Sequence, residues 1–394
     1  MASINTILGI DIILEVLDCF AAPVVSHHNP DLPALSICSL VCRSWCSHAQ
    51  RHLFRRVTIV SDESEPHQSA RRISLFLDAI HPATERGRYL GSCVLALTLR
   101  HADRKGLSKA LLRVPNLRHL DTTTSSCDFD APTLTALREK GPKITSLCIQ
   151  EDFSFFPGQH SGRMHRLVAA LPSIRLLEIT SNANSTLPPF DPPPKLSLVA
   201  VKFKTTLVQD IGPCLSSLTA GEGLQLLLHE SLRGTKSFAP TPDIGLNLRS
   251  LSLQTIDADA LGLTRCTSLE RFELGRFPDL ATLRAIPRSI TALSISGTPA
   301  ANVPVGISFA TFLEELESGF PNLRTLTWTV DILPPVFARE ALEGVCKRRG
   351  VRLSLKVALS ERADSEVSYC LCREELMQIA YLRRTTPRML SSSS

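Results

Sequence analysis

The chain has 394 residues, 43% of them hydrophobic but only 5% aromatic, and 43 Lys and Arg against 38 Asp and Glu give a formal charge of +5. That length exceeds what one compact core usually holds, so two domains or an elongated repeat array are expected. The surplus positive charge is dispersed, with no basic arm or stripe for nucleic acid, and no apolar run is long enough to cross a bilayer.

The first apolar stretch, Ile4 to Val25, is interrupted by Asp11, Glu15 and Asp18 at helical spacing. These acids mark the polar face of an amphipathic helix, and no basic leading segment makes it a signal peptide. A soluble protein of the cytoplasm or nucleus is expected. Further on, Leu35, Cys38, Cys42 and Trp45 recur at helical spacing, with Ile37, Leu40 and Val41 beside them. A helix apolar over more than one face can meet its own domain on one side and a partner on another. A short helix over Ala49–Arg55, with Leu53 and Phe54, leads into a strand at Val57–Ile59.

Cys-Ser-Leu-Val-Cys-Arg-Ser-Trp at 38–45, followed by Leu-Phe-Arg-Arg-Val-Thr-Ile at 53–59, resembles the second half of an F-box. Leu8-Gly-Ile-Asp-Ile-Ile-Leu-Glu-Val-Leu-Asp-Cys-Phe20 resembles its first helix. Gly9 stands where that family carries proline, and residues 21–33 make a longer connection than usual. The resemblance covers about residues 6–59. It implies a three-helix module that binds the Skp-type adaptor of cullin-RING ubiquitin ligases through Leu8, Ile12, Ile13, Val16, Leu17, Leu40, Val41 and Trp45. The remainder of such a protein holds the target.

A polar stretch, Ser61–Ser69, reads as a linker, and Arg71–Ile80 as a helix stopped by His81-Pro82. From Val94 a spaced pattern of three apolar positions recurs. It runs Val94/Leu97/Leu99, Leu117/Leu120/Thr122, Ile144/Leu147/Ile149, Ile174/Leu177/Ile179 and Leu198/Val201/Phe203. It resumes as Leu248/Leu251/Leu253, Leu269/Phe272/Leu274, Ile290/Leu293/Ile295 and Leu323/Leu326/Trp328. Most starts lie 21 to 30 residues apart, the period of leucine-rich repeats, each contributing one short strand and an arm. Between 198 and 248 a further copy fits either Leu215/Leu218/Ala220 or the run Leu224–Leu228.

One repeat cannot bury its apolar positions alone; stacked neighbours make a continuous core. The intervals carry helix-like segments at Leu107–Val114, Pro132–Lys140, Met164–Leu171, Asp259–Thr264 and Phe309–Ser318. Pro115, Pro142, Pro172 and Pro321 then stop the chain before the next strand. The Asn or Cys expected three residues after the third apolar position is present at Asn182 but absent at most copies, which implies an irregular solenoid. The competing architecture is a plain Leu-rich α/β fold. Proline-rich breaks at Leu187–Pro194 and Phe238–Pro242 read as surface loops. Val336–Arg348 reads as a helix, Val351–Val357 as a strand, Glu361–Arg384 as a helical cap, and Ser391–Ser394 as a disordered end.

Chemistry-bearing motifs are missing: no phosphate-cradling Gly-rich loop, no Gly-x-Ser-x-Gly, no His-Glu-x-x-His. Twelve cysteines include no Cys-x-x-Cys, and Cys370-Leu-Cys372 lacks a second pair, so buried free thiols are expected in place of zinc or disulfides. No cofactor, metal or catalysis is expected, and function rests on surfaces. If the register is right, the residues between the inward strand positions line the inner wall. Among them Arg100, His119, Asp121, Gln150, Glu178, Lys202, Lys204, Gln254, Arg271 and Glu273 are candidates for binding a protein target. They mix both charge signs, which suits a protein partner better than nucleic acid.

The expected fold is α/β: an F-box-like module over 1–60, a linker and first helix over 61–90, an irregular leucine-rich-repeat solenoid over 91–360, and a cap and tail over 361–394. The expected role is a target-receptor subunit of a ubiquitin ligase, joining adaptor and cullin to an unknown protein substrate. The alternative is a leucine-rich scaffold whose F-box-like start only caps the solenoid.

Overall fold

The structure is a computed structural model. It describes residues 15, 17, 32–41, 43–60, 66–100, 104–127, 129–150, 161–181, 189–191, 194, 196–205, 212–218, 223–231, 246–253, 263–297, 308–330 and 336–357.

Two helices, α1 (Leu32–Val41) and α2 (Arg43–Arg55), lead into the first strand, β1 (Arg56–Val60). Helices α3 (Pro66–Ala79) and α4 (Glu85–Cys93) precede β2 (Ala96–Arg100). The repeat then sets in: α5 (Arg104–Arg113), β3 (His119–Thr123), α6 (Ala131–Lys140), β4 (Ser146–Gln150), α7 (Ser161–Ala170), β5 (Leu176–Ser181) and β6 (Ala200–Thr205). It continues with α8 (Gly212–Leu218), β7 (Leu226–Ser231), β8 (Ser250–Leu253), β9 (Arg271–Leu274) and α9 (Leu280–Ala285). β10 (Ala292–Ser296), α10 (Phe309–Gly319), β11 (Thr325–Val330), α11 (Val336–Arg349) and β12 (Arg352–Val357) complete it.

Among the described residues twelve strands form one parallel sheet in strict sequence order, β1 to β12. Each strand lies beside its chain neighbours, so the sheet grows by one coil per repeat. The register aligns like with like. Val57, Leu97, Leu120, Leu147, Leu177 and Val201 stand side by side, and the row continues through Leu227, Leu251, Phe272, Leu293, Leu326 and Leu353. A second row runs from Ile59 through Leu99, Ile149, Ile179 and Phe203 to Leu274, Ile295, Trp328 and Leu355. Alternation along each strand sends both rows to one face, where they meet helix residues such as Leu107, Leu111, Leu167, Phe312 and Leu342 in one continuous core. Each Leu sealed there contributes about 1.5–3 kcal/mol relative to exposure. Sheet inside and helices outside, repeated in order, define a leucine-rich-repeat solenoid.

The coils are knitted at the strand entries. The Leu95 carbonyl accepts from the N–H groups of Arg118 (2.9 Å) and His119 (3.0 Å), and that of Arg118 accepts from Thr145 (2.9 Å) and Ser146 (3.0 Å). The same double acceptance recurs at Thr145, Arg175, Val199, Gln225, Arg249, Glu270 and Thr291. This backbone ladder satisfies donors that a chain leaving one coil would otherwise leave orphaned. Asn116 and Asn322, each just after a stopping proline, add side-chain bonds to the Ser92 and Arg288 carbonyls of the preceding coil (2.8 and 3.1 Å). Helices open on caps: Asp130 accepts from Thr133 N–H (3.0 Å), Asp279 from Thr282 (2.7 Å) and Ser308 from Thr311 (3.1 Å).

Several expectations need correction. Leu215 and Leu218 lie on α8, so the repeat between 198 and 248 is Leu224/Leu227, with His229 in the third place. The sheet begins at Arg56, inside the segment assigned to the N-terminal module, and α3 takes up residues read as linker. Helices α4 and α9 were not anticipated. Of the helix expected at Asp259–Thr264, the described residues show a single 3-10 turn, Leu263–Arg265. Phe190, expected on a surface loop, is buried and stacks on His165 with ring centroids 3.9 Å apart. Gln254, the Phe238–Pro242 break and the Glu361–Arg384 segment lie outside the described residues.

Candidate interaction surfaces

The N-terminal helices build a small core of their own. Leu35 of α1 and Ala49 of α2 are buried with Leu17, and Cys38, Trp45 and Leu53 pack against them. Leu17 and Trp45, expected on the partner-facing side, therefore hold the module together. The opposite side of α1 is apolar and uncovered. Ile37 is 65% exposed, Leu40 84% and Val41 49%. Spacings of three and four residues put these three on one helical face. Leu8, Ile12, Ile13 and Val16 lie outside the described residues. Contiguous apolar groups left in water mark contact surfaces more often than isolated ones do.

This module is tied to the sheet. α2 runs directly into β1, the Arg55 carbonyl accepts from Leu95 N–H (3.0 Å), and Tyr89 Oη of α4 donates to the Ser47 carbonyl (2.8 Å). α4 packs closely because of its glycines. A Cβ at Gly87 would sit 2.1 Å from the His81 carbonyl oxygen, and one at Gly91 would sit 2.5 Å from that of Arg113.

The second surface is the sheet face opposite the core, and it divides in two. Over β3–β6 its side chains are closed off: His119, Asp121, Cys148 and Lys202 are all buried. Arg100 donates to Asp121 through Nε (3.4 Å) and Nη2 (3.0 Å), a forked pair on adjacent strands. His119 Nδ1 and Ser146 Oγ are hydrogen-bonded at 2.8 Å, and Lys202 Nζ stands 4.0 Å from Glu178 Oε1. Beside them Ala200 and Leu226 are buried with Leu176 and Leu228 in an apolar cluster separate from the main core. The expectation of an open wall thus fails for His119, Asp121 and Lys202; Gln150, Glu178 and Lys204 are half-buried.

Over β9–β12 the same face is more open. Arg271 and Glu273 are exposed, as are Arg352, Ser354 and Lys356, and the residues between them are small and half-buried. Glu273, Ser294, Thr327 and Ser354 stand in one row, Arg271, Ala292, Thr325 and Arg352 in the row before, and Ser296, Thr329 and Lys356 in the row after.

Among the described residues no group of three or more His, Cys, Asp or Glu is placed to hold a metal ion. Cys93, Cys127, Cys148, Cys214, Cys266 and Cys346 are free thiols buried in the fold. Burial pushes the Cys214 thiol up to about 12 and that of Cys266 to about 11, so both stay protonated and inert. No helix among the described residues is long and apolar enough to cross a membrane.

No family model matches the chain. No curated protein matches it either. Among solved structures it is similar to the one titled "Crystal structure of TLR13-ssRNA13 complex", at 15% identity and a TM-score of 0.36, over 62% of this chain and 34% of that one. This chain thus spans about a third of that protein's length. The class is set by the strand order and register: a leucine-rich-repeat solenoid with a helical N-terminal module.

Proposed function

We propose that this chain is the target-receptor subunit of a cullin-RING ubiquitin ligase. Its N-terminal module binds a Skp-type adaptor and its solenoid binds a protein target. The observation that carries this reading is the double face of α1, sealed at Leu35 and uncovered at Ile37, Leu40 and Val41. A helix that only capped a solenoid would have no use for the second apolar face, whereas a helix-in-groove partner would. The F-box resemblance at 38–45 supplies the chemical identity of that partner.

Under this reading the chain performs no chemistry. It raises the concentration of target lysines near a ubiquitin-conjugating enzyme by holding both ends of one assembly. Mixing the purified full chain with a Skp-type adaptor tests it: the two should co-elute as one species. Separate elution at micromolar concentrations would remove the ligase reading and leave a leucine-rich scaffold.

A further inference from the structure

The open half of the inner wall points to a target class. We infer that β9–β12 bind an extended acidic segment of a protein target, an inference that rests on reading the solenoid as a target receptor. Over β3–β6 the wall is closed, with Asp121 3% and Lys202 2% exposed, so a partner cannot reach those groups. Beyond that stretch, on β9 and β12, Arg271, Arg352 and Lys356 stand in water. None of the three enters an ion pair among the described residues.

Between these cations lies a floor of hydroxyls, Ser294, Ser296, Thr327 and Thr329, on β10 and β11. Small side chains let a peptide backbone approach the sheet, and each hydroxyl offers both a donor and an acceptor to peptide N–H and C=O groups. β9 and β12 are three strand spacings apart, about 14 Å. An extended segment of about four residues crosses that distance. Acidic side chains at its two ends then meet Arg271 on one side and Arg352 with Lys356 on the other. The surface is wrong for single-stranded nucleic acid: no aromatic ring stands in these rows for base stacking.

The test uses the full chain and three labelled probes: a short peptide alternating glutamate with serine, its lysine counterpart, and an oligouridylate. The glutamate peptide should bind, and more weakly as salt rises. The double variant Arg352→Glu/Lys356→Glu should weaken it about tenfold, as reversal of two exposed charge contacts implies. Arg71→Glu, on the exposed face of α3, should leave it unchanged. The reversed variant should gain the lysine peptide, a result that misfolding cannot produce. Equal glutamate-peptide affinity for wild type and the reversed variant, or preference for oligouridylate, overturns the inference. A chain that co-elutes with adaptor but ignores every acidic peptide also overturns it while sparing the ligase reading. A chain that binds the glutamate peptide without co-eluting keeps this surface and loses the ligase reading.

Discussion

Leu35 and Leu40 sit five residues apart on one helix in opposite environments: Leu35 is sealed at 0% exposure and Leu40 leaves 84% of its surface in water. Under the proposed function the two positions separate folding from binding. Leu40→Asp combined with Val41→Asp should change stability by no more than about 0.5 kcal/mol, as exposed substitutions do, yet abolish adaptor co-elution. Leu35→Ala should cost about 2–5 kcal/mol through the cavity it opens. Thermal melts followed by co-elution distinguish them; undiminished adaptor binding by the double Asp variant would refute the assignment of that face.

Asp121 is almost fully buried, with its carboxylate held by the Arg100 fork. Breaking such a pair from one side strands a charge. Arg100→Met should cost about 3 kcal/mol, the lower end of the range, since 28% of the Arg100 side chain is in water. Arg100→Met with Asp121→Leu should recover most of that loss, because apolar pairs of similar volume replace buried ion pairs at little cost. Denaturant titration of the three variants measures both steps.

Trp328 and Gly297 lock two coils together. The indole N–H donates to the Gly297 carbonyl (2.8 Å), and Gly297 N–H donates to the Thr329 carbonyl (2.8 Å). Gly297 adopts φ +86°, where a side chain clashes with its own backbone. Gly297→Ala should therefore cost about 1–2 kcal/mol. Trp328→Phe keeps the contact with Phe309 and Phe277 but leaves the carbonyl unmet, for about 1–3 kcal/mol. Both should lower the melting temperature, and the double variant should lose less than the sum because the two residues share one bond.

His165 sets a pH dependence. Burial lowers its pKa from the ordinary 6.5. The unfolded chain therefore binds its proton more readily than the folded one. Stability should be full above about pH 6.5 and fall as the pH drops below it, by this group's share. His165→Phe should flatten that portion of the stability profile, read from denaturant midpoints at a series of pH values. An unchanged profile would show that His165 takes up its proton equally well in both states.

The strands were legible because a parallel sheet buried on one face writes its register in sequence: Leu97/Leu99 and Leu293/Ile295 are spaced for a strand and for nothing else. The ambiguity near β7 was real in physical terms, since Leu215 and Leu218 have the three-residue spacing that a helix and a repeat share. α4 was hidden by Gly87 and Gly91, which lower helix propensity but which close packing against His81 and Arg113 requires. The closure of the wall at His119, Asp121 and Lys202 left no local trace, because their partners Ser146, Arg100 and Glu178 stand on neighbouring strands more than twenty residues away in sequence. Polarity alone marks a residue as solvent-facing, and here that inference fails for these three.

Hydrogen exchange on the full chain, with and without a Skp-type adaptor, tests the central claim most directly. Amides of α1 around Ile37–Val41 should exchange more slowly in the complex, while those of β9–β12 keep their free rates. No protection in α1, or protection confined to the solenoid, would contradict it.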